Sequence, residues 1–313
     1  MPVRRVTDVL SLSKPVPFVD VDVDKDSRLF LDPSAIRVAR RGGDRYAVRA
    51  DAQLVEFFTE IIACARATNS ADQVRGLRLL QAMHEPNETR LGYSTVGSRG
   101  HAFADEMGSR LWDEILANRT LKSGSGTSLN VYQALLSRLE HLPLFIDGVD
   151  RDMISDMATR IVFDVLQDFT MDMIRKYPSI GSHMTKRDYP VWDGTRGDLI
   201  DSNLALPSVD GKPLLLVPRN WVYWRTAMAA RPFYNRYATQ VLQDEQTTYG
   251  SDGRAIKPSK DSIKKQNKAV KETNAREAAK YFEQRGRNLV EEYEQEIDRE
   301  FKPLDSDEIE RRV

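Results

Sequence analysis

Residues 141–176 read HLPLFIDGVDRDMISDMATRIVFDVLQDFTMDMIRK, and this stretch decides the fold. Asp150 is a suitable N-cap, since its side chain accepts hydrogen bonds from backbone N–H groups that lack a helical partner. Arg175, Lys176 and Pro178 provide a basic last turn and a stop. Between these ends the hydrophobic residues recur at helical spacing: Ile154, Met157, Ile161, Val162, Val165, Leu166, Phe169 and Met173. The pattern predicts one continuous core helix that packs against more than one neighbour.

The other side of this helix carries aspartates in i,i+4 steps, interrupted by Arg160: Asp152, Asp156, Asp164, Asp168 and Asp172. Each like-charged pair at this spacing costs roughly 0.2–0.5 kcal/mol. The helix dipole offsets the cost only near the N-terminus, where Asp152 and Asp156 lie. One interpretation is a solvated face with arginine partners from elsewhere in the chain. The other is that Asp152 and Asp156 join a carboxylate cluster that holds a divalent cation.

The composition indicates a globular protein. The chain has 313 residues, 41% of them hydrophobic, which is enough for one large domain or two smaller ones. No apolar run is long enough to span a bilayer and the N-terminus has no secretory pattern, so we expect a cytoplasmic protein without membrane contact. The single cysteine, Cys64, lies in an apolar helical run and excludes disulfides within the chain. The net charge of -1 removes the simplest argument for a nucleic-acid-binding protein, although local basic patches remain compatible with it.

The N-terminal region combines an alternating stretch with a predicted helical hairpin. In residues 16–31, Val19, Val21 and Val23 alternate with Asp20, Asp22 and Asp24, which predicts a half-buried strand or hairpin with its aspartates on one surface. That surface faces solvent or, less commonly, a metal ion. Apolar periodicity from Asp51 onward and again over 76–83 predicts two helices, with capping residues at 69–72 between them.

A charged loop, HEPNETRLGYSTVGSRGHAF, follows at residues 84–103. Pro86 ends the preceding helix, and the loop carries Glu85 and Glu88 before a new helix begins near Phe103. A glycine-rich loop that enters a helix can bind an anion through backbone N–H groups. The predicted phosphate-binding residues of this loop are Arg90, Arg99 and Gly100. The alternative is a structural connector in which the charged residues pair with their neighbours.

Two further stretches could contact nucleic acid. Aromatic and arginine residues alternate around 219–237, and Arg219 and Trp221 are the predicted phosphate and base contacts there. The lysine-rich stretch 257–276 adds Lys264, Lys265 and Lys268 as predicted backbone contacts. Aromatic packing at a domain edge and a solvated helix face are the corresponding structural alternatives.

The overall prediction is an α+β, predominantly α-helical fold with a small mixed or antiparallel sheet. Residues 1–249 form the globular, mostly helical domain, and residues 250–313 form a charged helical extension that is lysine-rich and then acidic. A narrow apolar stripe in the later part of this extension suits packing on the body, on a protein partner or on a second copy of the chain.

The candidate chemistry is carboxylate chemistry. One cysteine and four scattered histidines exclude the common zinc patterns. The predicted catalytic residues are therefore Glu85, Glu88, Asp152 and Asp156, with the last three as ligands of Mg²⁺ or Mn²⁺. This set predicts a nucleic-acid-processing enzyme, a metal-dependent nuclease or other phosphodiester hydrolase. The competing hypothesis is a non-catalytic binding or assembly protein whose acidic stripe and charged C-terminal helices contact a macromolecular partner.

Overall fold

A computed structural model describes residues 3–92, 101–116, 120–122, 128–130 and 135–313. Helices dominate the described residues, and their few strands pair in small antiparallel sheets, so the protein has the predicted α+β, predominantly helical fold. None of the described helices is long and apolar enough to cross a membrane.

The first part of the chain is mostly helical. Its elements are α1 (Val6–Val9), β1 (Phe30–Leu31), α2 (Pro33–Arg41), α3 (Arg45–Arg66), α4 (Ser70–Gln81), α5 (His101–Leu116), β2 (Thr120–Lys122) and β3 (Ser128–Asn130). Helices α3 and α4 form the predicted hairpin, with Asn69 capping α4 through a hydrogen bond from the Asp72 backbone N–H. Apolar residues of α3 such as Phe57 and Ile61 are fully buried.

The alternating N-terminal stretch forms less strand than predicted. Only β1 is a regular strand there, and it pairs with β7 (Val222–Tyr223). The valines are buried as expected, but Asp20 is buried as well, so the prediction that it faces solvent is wrong. Its carboxylate accepts hydrogen bonds from the backbone N–H and the hydroxyl of Thr7, which compensates for the lost water.

The predicted central helix is two helices, α6 (Arg151–Ile161) and α7 (Phe163–Lys176), and the continuous-helix prediction is corrected at Val162. The N-cap is as predicted, since Asp150 accepts a hydrogen bond from the Met153 N–H at 3.0 Å. The break falls in a run in which every residue is fully buried, Ile161, Val162 and Phe163. Three consecutive residues point in different directions on a helix, so burying all of them requires packing on several sides, and the break accommodates this.

The β-structure after α7 is a long antiparallel hairpin. Strands β4 (Met184–Asp193) and β5 (Asp198–Val209) pair along their length, and β6 (Lys212–Pro213) adds to β5. The last connection contains Asp210 and Gly211, both with positive φ, as the hairpin signal predicted. Trp192 and Tyr189 of β4 pack against Phe57 and Phe163, which seats the hairpin on α3 and α7.

The C-terminal elements pack onto the same core. They are α8 (Ala230–Phe233), a π-helical turn (Tyr234–Ala238), α9 (Thr239–Glu245), β8 (Thr248–Tyr249), β9 (Ala255–Ile256), α10 (Lys260–Gln266), α11 (Val270–Arg285), α12 (Leu289–Glu300) and α13 (Ser306–Glu310). Ala278, Val290 and Tyr293 belong to the continuous cluster of buried hydrophobic residues that includes Phe57 and Ile154. The apolar stripe of the C-terminal helices is therefore used within the chain, which leaves their charged faces for any partner.

The aspartates of α7 have basic partners on α3. Arg49 bridges Asp164 at 3.1 Å and Asp168 at 2.5 Å, and Arg45 pairs with Asp172. These contacts match the solvated-face interpretation with arginines from elsewhere in the chain. Arg45 and Arg49 are one turn apart on α3, so the two helices present complementary i,i+4 ladders.

A buried ion-pair network joins α12 to α2 and to the segment 138–141. The Arg37 side chain, only 3% exposed, pairs with Glu140 and, at 2.8 Å, with Asp298 of α12. One turn earlier on α12, Glu294 forms an ion pair with Arg138 at 3.2 Å and a hydrogen bond with His141 at 2.9 Å. Buried charges of this kind are tolerated only when each has a partner.

The network predicts a specific loss of stability in acid. Burial alone would raise the pKa of Glu294, but the hydrogen bond with His141 and the charges of Arg37 and Arg138 outweigh it and lower the pKa from 4.5 to about 2. As the pH falls, the Glu294 carboxylate is therefore protonated at a higher pH in the unfolded chain than in the native state. The stabilisation by ionised Glu294 is complete above the unfolded-state pKa of about 4.5 and is lost as the pH falls towards 2.

We expect Glu294→Gln to lower stability at neutral pH and to flatten the dependence of stability on pH in this acid range. Urea unfolding of both proteins from about pH 6 to about pH 3 measures the difference. Equal slopes for the two proteins would show that Glu294 does not contribute in this way.

Candidate functional site

Two segments carry the predicted carboxylates. Asp152 and Asp156 project one turn apart from the first half of α6. Glu85 and Glu88 come from the loop after α4, where Pro86 ends the helical path and a single 3₁₀ turn follows over Asn87–Thr89. The carbonyl of Glu88 accepts a hydrogen bond from the Leu215 N–H at 2.8 Å, which anchors this loop to the core.

The electrostatics of Asp156 show that three of the four carboxylates interact. Burial raises the pKa of Asp156 well above its ordinary value, and the charges of Asp152, Glu85 and Asp150 raise it further, while Arg160 opposes them. Glu85, Asp152 and Asp156 are called the acidic cluster below, because the charges of the first two act on the third.

Glu88 is not among the groups that shift the pKa of Asp156. It acts on Arg160, whose own pKa is lowered by burial and raised by Glu88 and Asp156. One carboxylate oxygen of Glu88, Oε2, is buried and has no hydrogen-bond partner among the described residues. An unsatisfied buried carboxylate oxygen is rare in proteins and is a feature of sites that bind water, ions or substrate.

Arg160 is a site residue that sequence reasoning did not select. Its side chain is almost completely buried, and its Nε and Nη2 atoms donate to the His84 carbonyl at 3.4 Å. The charge of Arg160 also faces Glu88 and Asp156. The available signal was its position as the one basic residue in the aspartate stripe of the central helices.

Gly92 joins the loop to the acidic cluster. Its φ is +103°, and its N–H points at the carbonyls of Ser27 and Leu29 at 3.1 and 3.0 Å. A Cβ atom at this position would lie 2.8 Å from Oδ1 of Asp152, closer than real Cβ contacts allow. The backbone conformation therefore favours glycine, and a larger residue would also displace the Asp152 carboxylate.

The cluster does not form a complete metal-ligand set. No group of three His, Cys, Asp or Glu side chains in the described parts of the chain is arranged to hold a metal ion. Neither the predicted set of Glu88, Asp152 and Asp156 nor the set with Glu85 in place of Glu88 is arranged as a group of metal ligands. Magnesium sites commonly use only one or two carboxylates, with waters and substrate phosphates as the remaining ligands. Two adjacent aspartates on one helix are compatible with that kind of site.

Two adjoining clefts are lined by neighbours of this cluster, although Glu85, Asp152 and Asp156 themselves line neither. The first, of about 640 Å³, is lined in part by Gly92, and the second, of about 500 Å³, is lined in part by Arg151. They share Asp26 and Arg28. Basic side chains outnumber acidic ones along both: Lys25, Arg28, Arg90, Arg151, Lys212, Arg311 and Arg312 against Asp24 and Asp26. A lining of this kind attracts anions.

Of the three predicted phosphate-binding residues, the structure describes only Arg90. Arg90 lines the first cleft, but its guanidinium also donates to the carbonyls of Val23 at 3.3 Å and Pro213 at 3.4 Å, so part of its hydrogen-bonding capacity holds the loop. Arg99 and Gly100 lie outside the described residues.

The predicted nucleic-acid contacts lie away from the cleft linings. Trp221 is completely buried and its Nε1 donates to Asp44 at 3.2 Å, so this indole has no surface on which a base could stack, and that prediction is corrected. Arg219 is half-buried beside the carbonyl of Val16. On and after α10, Lys265 and Lys268 are exposed and Lys264 is half-buried, and none of the three lines either cleft.

Trp224, three residues after Trp221, is partly accessible at the surface, whereas Trp221 is buried. Trp224 is half-buried, lines the second cleft, and lies 4.5 Å from the guanidinium of Arg225. Both tryptophans stand in the same aromatic and arginine-rich stretch, and no periodic pattern in it distinguishes the buried indole from the accessible one.

The chain belongs to a domain family of unknown function, DUF8370, whose model matches residues 10–229. Neither the curated proteins nor the solved structures contain a match to the chain. The matched residues include the acidic cluster, Gly92, Arg160 and Trp224, whereas Arg311 and Arg312 lie beyond the match.

Proposed function

We propose that this protein is a Mg²⁺- or Mn²⁺-dependent phosphodiester hydrolase that acts on nucleic acid in the cytoplasm. Two observations support the proposal: the charges of Asp152 and Glu85 act on the buried carboxyl of Asp156, and Asp152 lies against Gly92, which lines a basic cleft. Carboxylates that repel one another cost free energy, and a divalent cation relieves that repulsion. A basic cleft next to them supplies the surface to which a phosphate backbone binds.

Each residue has a defined part in this proposal. Asp152 and Asp156 hold the cation, and Glu85 contributes negative charge to the same site. Arg160 opposes the rise in the pKa of Asp156 and so favours the ionised form that a cation needs. The cation supplies an activated water and stabilises the charge that develops on the phosphate. Arg90 and Arg28 position the phosphates on the cleft side.

The proposal is tested by incubating the full chain with single- and double-stranded DNA and RNA in EDTA, in Mg²⁺ and in Mn²⁺. We expect cleavage of at least one substrate with metal and none in EDTA. Asp152→Asn should lower the rate at least about 100-fold, because even residues behind metal ligands change metal affinity or activity by 10–100-fold.

Asp168→Asn is the matched control, since Asp168 has the same side chain and lies on α7, but pairs with Arg49 and not with the cluster. It should leave the rate unchanged. Inactivity of the wild-type chain on all four substrates would overturn the hydrolase proposal and leave the binding or assembly hypothesis.

A further inference from the structure

We propose that the second cleft binds one unpaired segment of a nucleic-acid strand, with phosphates against Arg28, Arg311 and Arg312 and a base against Trp224 and Arg225. This inference deepens the proposed function, on which it rests for the class of substrate. It adds a strand-binding surface whose residues were not among the predicted contacts.

The first observation is uncompensated charge. Some arginines of the described surface, such as Arg4, Arg45 and Arg236, lie within 4 Å of a carboxylate, and others, such as Arg187 and Arg299, do not. Within the described residues, Arg28, Arg311 and Arg312 form no ion pair of this kind, although they meet at one cleft. The cleft also contains the carboxylate of Asp26, but the arginines outnumber it, and such an excess of positive charge favours binding of a polyanion because binding releases condensed salt.

The second observation is that the arginines are held in place by the backbone. Arg311 Nε donates to the Asp307 carbonyl at 3.1 Å, and Arg312 Nη1 donates to the Glu308 carbonyl at 2.8 Å. The Arg28 backbone N–H donates to the Arg312 carbonyl at 3.0 Å, which joins the N-terminal and C-terminal segments. Each guanidinium has five N–H donors, so the remaining ones are available to phosphate oxygens.

The third observation is a stack of flat groups beside these charges. The Arg225 guanidinium lies 4.5 Å from the centre of the Trp224 ring, and the Arg312 guanidinium lies 5.9 Å from it. The rings of Tyr223 and Trp224 are stacked with 6.0 Å between centroids and an interplanar angle of 27°. Unpaired bases stack on aromatic rings and on arginine planes, so this arrangement can be extended by a base.

The size of the cleft favours a single strand. Its volume of about 500 Å³ falls in the range of roughly 300–1,000 Å³ typical of pockets for small ligands. A duplex keeps its bases paired inside the helix and offers only phosphates and groove edges. An unpaired nucleotide can place its base beside Trp224 and its phosphate beside Arg28.

The clefts also connect this surface with the acidic cluster. Arg28 lines both clefts, and the first of them reaches Gly92, which approaches the Asp152 carboxylate. A strand held in the second cleft can therefore continue past Arg28 to the proposed cation.

The test is fluorescence anisotropy of a labelled single strand of about 12 nucleotides, within the size range of single-strand binding sites, with the full chain in EDTA. We expect the wild type to bind and the double variant Arg28→Glu, Arg311→Glu to bind at least tenfold more weakly. The slope of log K against log salt should decrease by about 0.7 for each phosphate that the variant no longer neutralises. Trp224→Leu should weaken binding at least about fivefold and change the salt slope little.

Lys186→Glu is the control, because it makes, at an exposed position of β4 outside both clefts, the charge reversal that each of the two substitutions makes. Far-UV circular dichroism checks that each variant is folded, and the double variant Arg28→Gln, Arg311→Gln provides a milder change, with binding expected between wild type and reversal. Binding by the reversal variant equal to that of Lys186→Glu would overturn the inference. Equal affinity for a duplex of the same length would overturn the choice of a single strand.

Because the assay contains no metal, its outcome separates the two proposals. Binding that depends on Arg28 and Arg311, with no cleavage in any metal, supports the strand-binding surface and removes the hydrolase. Metal-dependent cleavage together with absence of binding in EDTA, or with binding insensitive to these variants, supports the hydrolase and removes this surface.

Discussion

Arg37→Met is expected to lower the free energy of unfolding by about 3–5 kcal/mol, the usual cost of removing one partner from a buried ion pair. The substitution keeps an unbranched side chain of similar length but removes the charge that faces Glu140 and Asp298. The side chains of both acids are almost completely buried, so water cannot replace the guanidinium. Removing this charge should weaken the packing of both α2 and α12, because the network joins these two helices.

Urea unfolding of the two proteins measures this difference. Arg254→Met is the control, since Arg254 is exposed and its pairing with Asp252 at 3.4 Å is a surface contact. Surface pairs contribute about 0–1 kcal/mol. A difference below about 1 kcal/mol for Arg37→Met as well would show that the buried network does not hold α12 in place.

We expect Asp156→Asn to lower the rate of metal-dependent cleavage at least about 100-fold without lowering the stability of the protein. Asparagine keeps the shape of the side chain and removes the charge that Asp152 and Glu85 repel. The charge of a functional residue is commonly unfavourable for stability. A substitution that removes such a charge therefore commonly makes the protein more stable.

The pH dependence of stability distinguishes this effect from a structural one. Since the pKa of Asp156 is raised in the folded state, the native chain binds this proton more tightly than the unfolded chain. Its ionisation therefore destabilises the fold progressively as the pH rises from about 4 through the folded-state pKa. Asp156→Asn should remove this component, so the variant should gain stability relative to wild type as the pH rises. Lower stability of the variant at neutral pH would contradict the proposed repulsion.

Much of the helical framework was accessible from the sequence, because local patterns determine it. Caps such as Asp150 and Asn69, and apolar periodicity in α3, α4 and α6, act within a few residues. The break at Val162 was not accessible, since it arises from burial on several sides by elements distant in the chain. The boundary at residue 249 stays a prediction.

The acidic cluster was partly predictable and the cleft was not. Asp152 and Asp156 stand one turn apart near the start of a well-marked helix, and Glu85 follows another helix, so their types and positions were visible. The cleft, in contrast, combines side chains from about residue 25, about residue 90 and the last residues of the sequence. No periodicity relates positions so far apart. The same limit explains why Trp221 was preferred to Trp224, since only the packing decides which indole is buried.

The most direct test of the central claim, a cation site made by Asp152 and Asp156, is calorimetric titration of the full chain with Mn²⁺. We expect one site in the wild type, loss of binding in Asp156→Asn, and unchanged binding in Asp168→Asn. Because the pKa of Asp156 is raised, binding should also release a proton, and the measured heat should vary with the ionisation enthalpy of the buffer. Absence of Mn²⁺ binding in the wild type, or equal binding in Asp156→Asn, would contradict the claim.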